Sequence, residues 1–305
     1  MRGEIPGTVF LVTFLVLFTS CTKVPPPTKS PRFDQQRAFQ RLTQLCSFGP
    51  RNHNSDGKLK AEEWIKNSLR EAGAEVSVHE FQHTQKNATQ SEIFRNIVGR
   101  IRPDVTTRVL IGTHYDTRAT ADKDPDPSKR QLPILGANDG GSGVAVLLEM
   151  AALWKEQPPP VGVDLFFFDG EDFGRENELE DYFLGSRAYI YDFPEYRPAW
   201  GVVIDMVGDS SFAIRKERDS LARAQTTVER VWSAAARVRS YGILDQRGGR
   251  VIDDHTPFLD KGIPVILMID FSYSSFHTTA DTLDKCSPDS LGQMGRTIME
   301  AVETP

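Results

Sequence analysis

Cysteine is scarce in this chain of 305 residues. There are three, Cys21, Cys46 and Cys286, and no two form a Cys-x-x-Cys pair. That excludes a disulfide-dense scaffold and a paired-thiolate metal or redox site. A basic excess is also lacking. Thirty-six Lys and Arg stand against 42 Asp and Glu, a formal net charge of −6. There is no basic excess to neutralise a run of phosphates, so the composition argues against nucleic acid as a partner. Long apolar runs are nearly absent. The one present, Val9–Phe18, is ten residues long, too short to span a bilayer, which excludes a multi-span membrane protein. Asn138–Gly143 is glycine-rich but lacks the lysine of a phosphate loop and the strand-adjacent G-x-G-x-x-G spacing. Gly185-Ser186-Arg187 is not a nucleophile elbow, because Leu184 and Arg187 are the wrong neighbours.

The Val9–Phe18 run lies behind Arg2 and suits the apolar stretch of a signal peptide. It ends at Thr19-Ser20-Cys21, small residues before a cysteine, as at a bacterial lipidation site. We therefore expect a signal peptide over 1–20 and lipidation of Cys21. A Pro/Lys-rich tether over 21–32 and a catalytic domain over 33–305 should follow. The protein would be exported to a bacterial cell envelope as a lipid-anchored lipoprotein, or secreted, touching membrane only through its anchor. A monomer is expected. In an oxidising compartment Cys46 and Cys286 are open to two readings, a disulfide or two buried thiols.

Helical spacing of apolar residues predicts helices over 33–47, 58–72, 184–192, 219–238 and 288–302. Strands are predicted at 76–79, 96–99, 109–112, 165–168, 200–204 and 263–269, and a helix at 144–154 that is apolar nearly all round. Residues 117–135 read as a polar loop. Strands apolar on both faces, alternating with helices, predict an α/β fold. Its central sheet is mostly parallel, covered by helices on both faces, in a single domain.

The chemistry lies just beyond those strands. His114 follows the strand at 109–112, and Asp139 precedes the apolar helix. Glu171 and Asp172 follow Leu165–Phe168, Asp205 follows Ile204, and His277 lies beyond the last strand. In open parallel sheets, ligands bind outside the carboxyl ends of the strands. Imidazole and carboxylate converging there are the ligand types of zinc. Singly, each has a plainer account: Asp139 as a helix N-cap, Glu171 and Asp172 as the start of a solvated acidic loop. The constellation is more specific than its members.

From about residue 35 to 303 the chain resembles the zinc aminopeptidase-like enzymes of metallopeptidase family 28. Within them it most resembles the zinc-dependent glutaminyl-peptide cyclotransferases. The segments that carry this are Gly112–Asp116, Asn138–Gly143, Phe167–Asp172, Leu184–Arg187, Asp253–Leu259 and Phe276–Thr278. The resemblance implies one zinc per chain on Asp139, Asp172 and His277. It implies Glu171 as the acid–base group, supported by Asp205 and Asp253. The substrate is then the N-terminus of a peptide or protein, whose glutamine is cyclised to pyroglutamate with release of ammonia. Two positions depart from the usual pattern: Asp172 stands where Glu is common, and Phe276, a pocket residue, where Trp is usual.

A zinc-dependent aminopeptidase is the second reading. It takes His114 and Asp205 as ligands of a second zinc, with Asp139 bridging. The double acid Asp253-Asp254 before His255 favours the cyclotransferase.

Overall fold

The computed structural model describes residues 33–86, 88–175 and 178–304, together with Met1 and Gly3. The apolar run, Cys21 and the tether lie outside the described residues. Among the described residues no helix is long and apolar enough to cross a membrane.

Two helices open the fold, α1 (Gln35–Cys46) and α2 (Asp56–Glu71). Each begins where a short polar side chain takes up orphan amides. Asp34 accepts from the amides of Gln36 and Arg37, and Ser55 from that of Lys58. A long antiparallel pair follows, β1 (Glu75–His83) and β2 (Glu92–Ile101), matched residue for residue. Then strands and helices alternate: β3 (Arg108–His114), α3 (Gly141–Glu156), β4 (Gly162–Phe168), α4 (Leu184–Asp192) and β5 (Trp200–Asp205). After these come β6 (Ile214–Lys216), α5 (Arg218–Arg223), α6 (Gln225–Arg237) and β7 (Ile243–Arg247). The chain closes with α7 (Thr256–Asp260), β8 (Val265–Ile269) and α8 (Pro288–Glu303).

The main sheet has the order β1-β2-β4-β3-β5-β8. β4, β3, β5 and β8 are mutually parallel, and β2 is antiparallel to both of its neighbours, β1 and β4. The predicted strands are thus present, in a mostly parallel sheet. Their continuous apolar runs feed two cores at once. Ile111, Leu165, Phe167, Val202 and Ile204 face a core closed by α1, α2, α3, α6 and α8. Leu110, Phe166, Phe168, Val203 and Leu267 face the opposite core, under α4 and α7. This period-2 division explains why Leu165–Phe168 and Val202–Ile204 are continuously apolar.

One expectation changes, and of the two readings of the cysteines the structure has one. The helix read over 219–238 is two, α5 and α6, broken at Ala224 (φ −140°, ψ 41°). The apolar spacing runs through the break, so the pattern does not reveal it. Cys46 and Cys286 are buried but not bonded. They are neighbours nonetheless. Burial pushes the Cys46 thiol up to about 11, and it pushes the Cys286 thiol up as well, with Asp281 and Cys46 acting in the same direction.

Candidate active site

Every parallel strand of the sheet ends on a piece of one site. β3 ends at His114 and β5 at Asp205. β4 runs out into Asp169-Gly170-Glu171-Asp172, and the chain beyond β8 returns with Phe276 and His277. Asp139 arrives from the turn that opens α3. The N-cap of that helix is Gly140, at φ 73°, and not Asp139. A Cβ on Gly140 would lie 2.5 Å from the Asp116 carbonyl oxygen and 2.9 Å from His114 Cε1. Glycine is what lets this turn press against β3. His277 itself sits at φ 55°, a left-handed conformation uncommon outside glycine and often found where function fixes the backbone.

Two carboxylates brace the loops from behind. Asp116 accepts the amides of Glu171 and Asp172 at 3.2 and 3.1 Å. Asp281 accepts those of Asn138 and Asp139 at 2.9 and 3.1 Å, and the Tyr273 hydroxyl at 2.7 Å. Each clamp fixes two consecutive amides, so the side chains on those residues have little freedom to drift.

The braced residues form two clusters. In each, one donor atom per residue lies within 4.8 Å of the others: Asp139–Asp172–His277, and His114–Asp139–Asp205. In the first, His277 Nε2 is 3.2 Å from Asp172 Oδ1 and 3.7 Å from Asp139 Oδ2. Asp139 Oδ2 and Asp172 Oδ2 are buried with no hydrogen-bond partner. Buried carboxylate oxygens without a donor are costly, and a cation between them removes that cost. One imidazole with two carboxylates suits zinc and leaves a fourth position open to substrate. The residues present therefore fit the metal. In the second cluster His114 Nε2 lies 3.0 Å from Asp205 Oδ1 and 3.2 Å from Asp139 Oδ1.

Asp122 and Arg118, both in the 117–135 loop, complete the first cluster. Asp122 Oδ1 faces His277 Nδ1 at 3.4 Å, which turns Nε2 towards the carboxylates. Arg118 is buried. Its Nη1 donates to Asp172 Oδ1, while Nε and Nη2 donate to the two oxygens of Asp122 at 3.0 and 2.7 Å. Burial opposes ionisation of Asp172, but His277 and then Arg118 hold its carboxyl below the usual range. Against burial, the same two neighbours hold Asp122 down at about 2. Burial would lower His277, but Asp172 and Asp122 raise it to about 9. The sequence shows Arg118 and Asp122 only as polar loop residues, and nothing in their spacing marks them.

The acids behave differently on the far side of the site. Burial pushes Glu171 well above the usual carboxyl range; Asp172, Asp253 and Asp254 add to this and His114 opposes it. Burial, then Asp205 and Asp254, raises Asp253 likewise. Burial takes Asp254 up to about 7, although the Ser186 hydroxyl donates to it at 2.6 Å.

The family model for peptidase family M28 matches residues 96–302. The chain belongs to this family. Among its M28 relatives, the glutaminyl-peptide cyclotransferase-like protein of Mus musculus is 27% identical over 274 residues, covering 80% of this chain and 69% of that protein. The structure of Bacteroides thetaiotaomicron glutaminyl cyclase bound to N-acetylhistamine superposes with a TM-score of 0.86 at 31% identity, covering 90% of this chain and 99% of that one. A Zn-dependent exopeptidase from Parabacteroides distasonis gives 0.86 at 32% identity, covering 90% of this chain and 100% of the other.

The M28 site opens into a cavity of about 430 Å³. Asp139, Glu171, Asp172, Asp205, Asp253 and His277 all border it. The sequence-based constellation is thus brought together in one place. Apolar side chains, among them Phe183, Met206, Val251, Phe271 and Phe276, line the cavity as well. Phe276 stacks on His277 with ring centroids 3.7 Å apart, and Lys123 Nζ sits 4.0 Å from the Phe276 ring centre.

Proposed function

We propose that the protein is a zinc-dependent glutaminyl-peptide cyclotransferase that acts on the N-termini of peptides or proteins. The observation that carries this is the three-residue set Asp139–Asp172–His277 facing a cavity in which Glu171 is not needed as a ligand. The likeness to glutaminyl cyclases over nearly the full length of both chains supports it.

Zinc held there supplies a Lewis acid for the γ-carboxamide oxygen of the substrate glutamine. Glu171 takes a proton from the α-amine as its nitrogen attacks the carbonyl carbon of the γ-carboxamide. Glu171 then returns the proton to the departing nitrogen, so that the new C–N bond closes the lactam and ammonia leaves. Asp253 stands beside this group and, when ionised, strengthens its hold on the proton by like-charge repulsion; burial and Asp205 raise Asp253 in turn. Phe276 and the other apolar side chains of the lining limit the water that could compete with the amine. Zinc-loaded protein should release ammonia from a glutaminyl peptide and leave a product with no free α-amine.

One observation favours a second reading. His114, Asp139 and Asp205 form a cluster of their own, which in a two-zinc aminopeptidase would hold the second ion. Asp253 is the feature against it: a buried acid beside Asp205 and Glu171 suits proton traffic and adds repulsion that a hydroxide nucleophile does not need.

A further inference from the structure

The active-site cavity has an annexe. A second cavity of about 210 Å³ shares Val251, Ile269 and Phe271 with the first. Its remaining wall includes Arg215, Glu217, Gly248, Gly249 and Ser272. Phe271 is 60% exposed and stands between the two spaces.

The charges around the annexe are unequal in availability. Glu217 is occupied. It accepts the amides of Asp219, Ser220 and Val251, and His255 Nε2 lies 3.5 Å away. Arg250 is tied to Asp219 Oδ2 at 2.7 Å, and Lys216 to Asp245. Arg215 Nε donates to the neutral Gln246 side chain at 3.2 Å, and Arg215 forms no ion pair among the described residues. It is half-buried. The annexe therefore presents one cation that lacks a carboxylate.

Cyclisation places the α-amine and the carboxamide of the glutamine together beside Glu171. The rest of the peptide then leads out of the cavity, and Phe271, well exposed on its wall, borders one way out. An extended chain advances about 3.5 Å per residue, so one or two residues reach past a single aromatic ring. We propose that the annexe receives an acidic side chain, one or two residues downstream of the N-terminal glutamine, with Arg215 as its partner. This rests on the cyclotransferase reading.

The test compares wild-type kcat/KM on Gln-Glu-Ala-amide and Gln-Ala-Glu-amide with the matching lysine peptides, and with glutaminyl amide. Amidation removes the terminal carboxylate as a source of the effect. One acidic peptide should exceed its lysine counterpart by about fivefold at low salt, the size of a partly exposed ion pair. Arg215→Ala should bring that ratio towards one, and Arg215→Glu should invert it. Equal wild-type rates on the acidic and lysine peptides overturn the proposal without any variant. So does a preference that survives Arg215→Glu, or one confined to free-acid peptides. If wild-type protein holding zinc turns over no glutaminyl compound, glutaminyl amide included, the cyclotransferase reading itself fails.

Discussion

Arg118 Nη1 donates to Asp172 Oδ1 at 3.0 Å, and both residues are buried. The same guanidinium holds Asp122, which faces His277. One buried cation thus braces two of the three proposed zinc ligands. Removing it leaves the buried Asp172 and the partly exposed Asp122 with His277 as their shared partner. Loss of one partner of a buried pair typically costs about 3 kcal/mol or more. Outer contacts of this kind are also worth about 10- to 100-fold in metal affinity. Arg118→Ala should therefore melt earlier and give up zinc to a weaker chelator, with Arg118→Lys in between. Unchanged zinc retention in Arg118→Ala would mean that the ligands are held by their own loops alone.

The adjacent acids Glu171 and Asp172 should separate by readout. Glu171→Gln keeps size and polarity but cannot carry a proton, so turnover should fall by about 100- to 10,000-fold with zinc retained. Asp172→Asn should lose zinc, since it removes a charged ligand. Zinc content measured beside turnover in both variants decides this. Metal loss in Glu171→Gln, with retention in Asp172→Asn, reverses the assignment.

Much of this site is legible in the sequence because the strands are. Phe166, Phe167 and Phe168 stay apolar since they serve two cores, and the acids at strand ends stand out against such runs. Arg118 and Asp122 do not stand out. Four residues apart in a polar loop, they look like an ordinary solvated pair. Only the folding of residues 117–135 over the strand ends buries Arg118. Asp281 is hidden for a similar reason: its partners, the amides of Asn138 and Asp139, are over 140 positions away. The β6–β7 pair is too short to show a period, and it builds the wall that carries Arg215.

Glu217 gives a pH signature away from the metal. Burial opposes its ionisation. His255 and the amides of Asp219 and Ser220 nevertheless hold it down at about 2, from an ordinary value of 4.5. A depressed carboxyl contributes stability above its unfolded value and loses it as pH falls through the folded one. The stability gap between wild type and Glu217→Gln should thus be full above about pH 4.5 and close as pH approaches 2. Chemical denaturation across that window measures it. A gap constant with pH would show that the carboxylate contributes through shape alone.

Anchoring is a separate proposal, from Cys21 beyond the apolar run. The wild-type chain should partition into detergent, and Cys21→Ser should release it or leave it unprocessed. Normal cleavage with unchanged partitioning removes the lipid anchor from the account.

The most direct test of the central claim is one preparation measured in two ways. Bound zinc is counted per chain, while ammonia release from a glutaminyl peptide is compared with hydrolysis of a leucyl anilide. The account predicts about one zinc and ammonia release without anilide hydrolysis. About two zincs, one lost in His114→Ala, together with anilide hydrolysis and no ammonia, would contradict it.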